Sequence, residues 1–225
     1  MITYKIPNSS YTYKIPNNSY TERIRSAVSE VNIWSNYISD GDVIFDIGTN
    51  IGLYAMQFSF NFPSSFIYCF DAMPELVKEY WDYNIAVNNI TNSKFYDFGF
   101  SDRNAELEFY MPINDSDSDI EVYSYLLPDA EKSRKRYGRV RTLNDFIKET
   151  NISVDVIKID AERAELDIIN GGLSIINNCK TLILEMPIGY TIEMDIRCNK
   201  IHSILTEFGF THVITTAKFN RVYIK

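Results

Sequence analysis

Four short apolar runs each end in an acid, at Asp46, Asp71, Asp160 and Glu185. A β-branched or aromatic run of that length reads as a buried strand, and open α/β sheets bind ligands at the carboxyl ends of their parallel strands. The first acid opens Asp46-x-Gly48-x-Asn50-x-Gly52, directly before a stretch apolar enough for a buried helix, residues 51–60. Strand, glycine turn and helix would set the free N–H groups of a helix's first turn beside the strand end. Gly48 and Gly52 would let the backbone bend sharply and approach a ligand closely.

The spacing excludes two common phosphate cradles. A pyrophosphate turn uses G-x-G-x-x-G, and a P-loop uses a Lys-Ser/Thr pair after its glycines. Here Asn50 holds the place of the second glycine and no lysine follows. A carboxylate at Asp46 would repel a phosphate and attract an amine, which favours an amino-acid moiety in the ligand. Asp71 ends the second run, about twenty residues past the turn, where an acid accepts hydrogen bonds from ribose hydroxyls.

The Asp46 to Gly52 motif is followed in order by Phe70-Asp71-Ala72-Met73-Pro74, by a stretch carrying Asp160, Glu162, Arg163 and Glu165, and by Leu184-Glu185. Together these resemble the FkbM family of S-adenosylmethionine-dependent methyltransferases. The resemblance implies an α/β class I methyltransferase fold: three-layer, Rossmann-like, with a mostly parallel seven-stranded sheet in the order 3-2-1-4-5-7-6 and an antiparallel last strand. It implies S-adenosyl-L-methionine as cofactor, held by Asp46, Gly48, Thr49, Asn50, Gly52, Asp71, Ala72 and Asp160. Ser101 and Asp102 resemble the segment that edges the adenine ring, although a surface loop would carry the same residue types. The implied reaction is O-methylation of a hydroxyl on a sugar or another small-molecule or glycan acceptor.

Methyl transfer from a sulfonium is an in-line displacement, so the protein mainly aligns the acceptor. A hydroxyl acceptor must also lose its proton to a carboxylate or imidazole. The carboxyl-edge candidates are Asp160, Glu162 and Glu185. Asp160 comes first because its strand adjoins the cofactor strand; its rival role is to hold the amino-acid end of the cofactor. His202 and His212 fall in the last helix and the sixth strand and read as structural. Arg163 replaces the glycine of the family pattern Asp-x-Glu-Gly-Ala-Glu. An arginine there either clamps an anionic acceptor bidentately, with residues 134–141 closing over it, or pairs with a nearby acid at the surface. The second function class is a non-catalytic protein of the same fold that binds S-adenosylmethionine or a sugar. A nicotinamide dehydrogenase is disfavoured by the missing glycine.

The elements that must position these residues follow from periodicity. Helical spacing appears at residues 22–38, along Val77, Trp81 and Ile85 after Pro74, and at 162–170 and 199–208. Thr142 with Asp145 three later is a variant capping box for a short helix. Further strands are read at 94–98 and 105–111, and the closely joined pair 211–216 and 221–224 should be antiparallel. Residues 114–141 read as a polar inserted loop, acidic and then basic, that either receives an anionic acceptor or is a solvated surface.

Residues 22–225 read as the methyltransferase domain and 1–21 as an extension carrying two near-identical copies, 3–11 and 12–20. A hairpin-like appendage is expected. Its tyrosines Tyr4, Tyr11, Tyr13 and Tyr20 either stack on an acceptor or pack on the domain or a second subunit, which would make a homo-oligomer. At 225 residues the chain suits a single core. The net charge of −8 argues against general nucleic-acid binding. No apolar run reaches the roughly eighteen residues of a membrane span and the N-terminus lacks a secretory pattern, so a cytoplasmic protein is expected. Three scattered cysteines have no ligand spacing, and neither a disulfide nor a metal is expected.

Overall fold

The computed structural model describes residues 2–6, 11–16, 20–112, 133–217 and 219–225. The chain begins with a hairpin, β1 (Ile2–Lys5) and β2 (Thr12–Ile15), then α1 (Tyr20–Trp34), β3 (Val43–Ile47), α2 (Leu53–Asn61), β4 (Phe66–Phe70), α3 (Pro74–Val87) and β5 (Ser93–Tyr96). Next come β6 (Gly99–Phe100), β7 (Ala105–Pro112), β8 (Ser133–Arg141), α4 (Leu143–Thr150), β9 (Val156–Ile159), α5 (Glu165–Asn170) and α6 (Leu173–Asn178). The last elements are β10 (Thr181–Glu185), α7 (Ile192–Glu207), β11 (Thr211–Thr216) and β12 (Asn220–Ile224).

The main sheet has seven strands in the order β11-β12-β10-β9-β3-β4-β5. β3 is central and parallel to β4 and β9, and β12 is antiparallel to both its neighbours. This is the order and the lone antiparallel strand that the resemblance implies. Because side chains alternate across a sheet, Phe45 and Ile47 join the core on one face with Phe70, Phe146 and Leu205. Ile44 joins the other with Ile67, Trp34, Phe58 and Trp81. Helices α4–α7 therefore cover one face and α1–α3 the other, giving three layers. Trp34 is fully buried, and its indole N–H donates to Thr216 Oγ1 at 3.1 Å, tying α1 to the far end of the sheet.

The N-terminal hairpin packs on the domain. Tyr13 and Ile15 are fully buried, and Asn84 of α3 and Asn88, which caps that helix, use their side-chain amides as a substitute strand. Lys14 N–H donates to Asn84 Oδ1 at 2.6 Å and Thr12 N–H to Asn88 Oδ1 at 2.9 Å. Both amide nitrogens donate back to the carbonyls of the same two residues.

Three expectations need correction. Residues 133–141 are a strand rather than the end of a loop; β8 pairs antiparallel with β7 and parallel with β6 in a separate three-stranded sheet. The rest of the expected loop lies outside the described residues. The helix expected from residue 162 starts at Glu165, because Glu162 and Arg163 take left-handed φ of 50° and 82°. The last helix begins at Ile192, capped by Thr191, which accepts from Met194 N–H. Thr142 caps α4 by accepting from Asp145 N–H at 3.1 Å, as the capping box predicts. All three cysteines are buried and free. Among the described residues, no helix is long and apolar enough to cross a membrane.

Candidate active site

A cavity of about 280 Å³ opens at the carboxyl ends of the central strands. β3 leads into it through the glycine turn, where Gly48 (φ 77°) and Asn50 (φ 51°) are left-handed. A Cβ on Gly48 would stand 1.9 Å from the carbonyl oxygen of Asp160, so glycine lets the ends of β3 and β9 close on each other. A Cβ on Gly52 would press on the Trp81 ring at 2.8 Å. Both glycines thus meet packing demands inside the protein as well as a backbone demand.

Of the residues singled out from sequence, Gly48, Thr49, Asn50, Asp71, Ala72, Ser101, Asp160, Glu162 and Glu185 line this cavity. Asp46, Gly52, Asp102 and Arg163 are not on its wall. Asp46 is fully buried behind the turn: its Oδ2 accepts from Thr49 Oγ1 at 2.8 Å and its Oδ1 lies 3.3 Å from Lys158 Nζ. Its carboxylate is therefore held by the protein's own cation, not offered to a ligand amine. Gly52 faces Trp81. Asp102 is exposed and pairs with Arg103. Arg163 sits in the turn before α5, where its N–H donates to Glu165 Oε1 at 3.2 Å and its carbonyl accepts from Arg197 at 3.1 Å.

One end of the cavity is apolar, with Phe70, Phe100, Leu107, Phe109 and Val140 on its wall. Four of these come from the small β6-β8-β7 sheet, which is seated closely on the turn after β4. A Cβ on Gly138 of β8 would be 2.6 Å from the Ala72 carbonyl oxygen. Asp71 stands between this apolar end and the glycine turn. Its Oδ2 accepts from Asn50 N–H and its Oδ1 from Met73 N–H, both at 2.9 Å. Burial pushes its carboxyl up to about 6, against the pull of those two N–H groups.

The other end is acidic. Carboxylate oxygens of Asp160, Glu162 and Glu185 lie within 4.8 Å of one another, close enough to hold a cation between them. The charge of Asp160, and then burial, push Glu185 well above the usual carboxylate range. Burial, and then Asp160, do the same to Glu162. Protons on such a cluster belong to the set rather than to one residue. Beneath it, Glu165 accepts from the Ala161 and Arg163 N–H groups and holds the turn in shape, while burial raises its carboxyl to about 7.

Lys158 is the residue that sequence reasoning passed over. It is 1% exposed, its Nζ is 3.3 Å from both Asp46 Oδ1 and Asp160 Oδ2, and it lies 4.3 Å from the centroid of the Tyr54 ring. Burial alone would favour the neutral amine; the charges of Asp160 and Asp46 outweigh it and hold the ammonium above the ordinary lysine range. The signal was present, since a lysine inside an apolar strand is almost never buried without an acidic partner. Register places Asp46 directly across from it.

The α1 wall was missed too, except for Tyr20, one of the tyrosines named as able to stack on an acceptor. Tyr20, Arg23, Ser26 and Glu30 reach the cavity from this helix, joined by Tyr54, Ala217 and Asn220. Glu30 lies on the apolar stripe of α1 between Ala27 and Trp34, and an acid at such a position is a signature of a buried polar network. His202 and His212 are not on the cavity wall; His202 instead contacts the Tyr223 hydroxyl at 3.2 Å.

Residues 46–213 match the family described as Methyltransferase FkbM domain. The chain is 24% identical over 177 residues to the 2-O-methyltransferase NoeI of Sinorhizobium fredii, an alignment spanning 72% of each protein. Among solved structures it is similar to an O-methyltransferase family protein from Burkholderia thailandensis, with a TM-score of 0.49 and 11% identity over 92% of this chain and 55% of that one. It is also similar to a SAM dependent methyltransferase from Aquifex aeolicus, with a TM-score of 0.48 and 13% identity over 94% of this chain and 98% of that one.

Proposed function

The chain belongs to the FkbM methyltransferase family, and from that premise we propose that it transfers the methyl group of S-adenosylmethionine to a hydroxyl oxygen of a small-molecule or glycan acceptor. The observation that carries this reading is the cavity's division into an apolar end bordered by Asp71, whose carboxyl oxygens suit a diol, and an acidic end able to take a proton.

The residues present fit the donor. Each Asp71 oxygen has one backbone N–H bond, which leaves a second lone pair on each for the two hydroxyls of a ribose. Phe100, Phe109, Leu107 and Val140 offer the apolar walls that suit a flat base, and Ala72 and Ser101 stand beside them. Gly48, Thr49, Asn50 and Asp160 line the same cavity, where they would hold the amino-acid end of the donor. When bound, S-adenosylmethionine supplies a methyl group already activated for in-line displacement.

The protein's remaining task is alignment and proton removal. Glu162 and Glu185 are the candidate bases. Once ionised, a carboxyl whose affinity for protons has been raised accepts a hydroxyl proton better than an ordinary carboxylate. Asp160 raises both, and Lys158, bonded to Asp160 Oδ2, fixes its orientation. Asp160 therefore serves as the anchor of the cluster, with Glu162 or Glu185 receiving the proton as the oxygen–methyl bond forms. The similarity to a 2-O-methyltransferase supports oxygen as the accepting atom.

The test is incubation with S-adenosylmethionine carrying a labelled methyl group and a panel of methyl glycosides, small alcohols and phenols. The expected result is labelled ether together with S-adenosylhomocysteine, and loss of turnover without loss of donor binding in Glu162→Gln or Glu185→Gln. Failure of the protein to bind S-adenosylmethionine by calorimetry would reject the reading.

A further inference from the structure

The cavity's walls come from two parts of the chain. Gly48, Asn50, Asp71, Ala72 and Ser101, on the donor side, all fall inside the family-matched residues 46–213. Arg23, Ser26 and Glu30 of α1, with Ala217 and Asn220, lie outside that match and yet line the same cavity. A buried network binds them to it. Glu30 is 3% exposed and accepts from Tyr54 Oη at 2.6 Å, from Thr216 Oγ1 and Asn220 Nδ2 at 2.8 Å each, and from Ser26 Oγ at 3.4 Å. One carboxylate thus locks together α1, α2 and the β11–β12 hairpin. Such a hub, with every donor satisfied, is rigid.

We propose that α1 is the acceptor-specificity element: Arg23 and Ser26 contact an uncharged, polyhydroxylated ring, and Glu30 is the positioning residue that holds this wall against Tyr54 and Asn220. The proposal rests on the reading of the cavity as a methyl-transfer site. The Arg23 guanidinium lies 5.0 Å from the centroid of the Tyr20 ring, so it is backed by a buried aromatic. Its charge also acts on Glu162, which brings it to the acidic end.

The chemistry of these walls selects the ligand. A ring with several hydroxyls offers protons to Glu162 and Glu185 and oxygens to Arg23 and Ser26, and its C–H face suits the Tyr54 ring. An anionic acceptor would bring a further negative charge beside Asp160, whose charge already pushes the carboxyls of Glu162 and Glu185 above the usual range. Arg163, the cation that sequence pattern offered for such an acceptor, is not on the cavity wall.

The experiment loads the full chain with S-adenosylhomocysteine and titrates methyl glycosides of neutral hexoses and of the matching uronic acids, followed by saturation-transfer NMR. Neutral glycosides should bind and uronates should bind at least about tenfold more weakly. Arg23→Met and Glu30→Gln should each weaken the neutral glycosides by about tenfold or more, the range of one charge-assisted hydrogen bond. Affinity for S-adenosylhomocysteine, measured by calorimetry, should stay within about twofold, which a merely structural defect would not allow. If Glu30→Gln fails to fold, Arg23→Met carries the test alone, because Arg23 is only half-buried. Absence of glycoside binding by the parent, preference for uronates, or parent-like glycoside affinity in Arg23→Met overturns the proposal. Failure of the parent to bind S-adenosylhomocysteine would instead sink the methyl-transfer reading on which this proposal rests, and is read separately from the glycoside titrations.

Discussion

Lys158→Met removes the cation that two acids share and leaves the shape of the side chain nearly intact. Asp46 is fully buried, and once the ammonium is gone the Thr49 hydroxyl at 2.8 Å is the hydrogen-bond donor left to it among the described residues. Asp160 is less exposed to harm, because its side chain keeps 26% of its surface in contact with solvent. Removing one partner of a buried ion pair leaves an uncompensated charge and costs about 3–5 kcal/mol. For a chain of this size each kcal/mol moves Tm by roughly 2–4 °C, so the midpoint should fall by about 6–20 °C. Scanning calorimetry and urea unfolding at neutral pH measure it. The double variant Lys158→Met with Asp46→Asn keeps an acceptor for Thr49 and removes the stranded charge, and should recover about half of the loss. A single-variant loss below about 1 kcal/mol, or a double variant less stable than the single, would refute the view that Lys158 exists to neutralise Asp46.

Asp71→Asn should weaken S-adenosylmethionine binding by roughly ten- to a hundred-and-fifty-fold, corresponding to about 1.5–3 kcal/mol for hydrogen bonds to a charged acceptor; parent-like affinity by calorimetry would remove Asp71 from the ribose. Arg163→Gly relieves a left-handed φ of 82°, which costs a non-glycine residue about 1–3 kcal/mol, and adds back about 0.5–1 kcal/mol of chain entropy. Its urea midpoint should match or exceed the parent's, and a loss of more than about 1 kcal/mol would show that the side chain's contacts outweigh the strain. Stability should also fall as pH rises from about 4 to about 7. Asp71 rises from 3.8 to about 6 and Glu165 from 4.5 to about 7 on folding, so the folded state binds more protons across that window and loses that advantage as they leave. Asp155, lowered on folding despite its burial by Lys180 and the Val43 N–H, acts in the opposite sense, but only below its unfolded value of 3.8. Urea midpoints at pH 5 and 7.5 test the sign, and Glu165→Gln should flatten the slope.

The parallel sheet was legible because its strands are buried on both faces and read as continuous apolar runs, each closed by an acid. The strand-end acids Asp71, Asp160 and Glu185 could be placed for the same reason. Strand β8 was not legible. Of Lys135, Arg136, Tyr137, Gly138, Arg139 and Val140, burial reaches only Gly138 and Val140, so no apolar alternation marks it, and its existence depends on pairing with β7. Asp46 was assigned to the wrong side of its own turn because a strand-end carboxylate does not announce which face it points to. The register with Lys158 decides that, and register is a property of two strands at once. Arg163 misled for a related reason: the replaced glycine marks a backbone angle in the turn before α5, and the arginine adopts that angle rather than reaching into the cavity.

The buried acids of the site divide by what satisfies them, and the division explains where reactivity can lie. Glu30 has four hydroxyl and amide donors, and Asp46 has Thr49 and Lys158. Glu30 needs nothing from outside the chain, and Asp46, set behind the cavity wall, has its charge met by Lys158. Asp160, Glu162 and Glu185 converge instead, with Lys158 already shared with Asp46 and with Arg23 and Arg163 acting on Glu162. Gathering like charges in a half-closed cavity works against folding, and the raised carboxyls of Glu162 and Glu185 are the sign of that cost. The charge of Asp160, which the two glutamates answer by keeping their protons, still favours cations and uncharged proton donors in the crevice over a further anion. An acidic end of this kind is therefore matched to a positively charged methyl donor and to an acceptor whose proton must leave, and ill matched to the phosphorylated or acidic acceptor that an arginine in the motif would otherwise suggest.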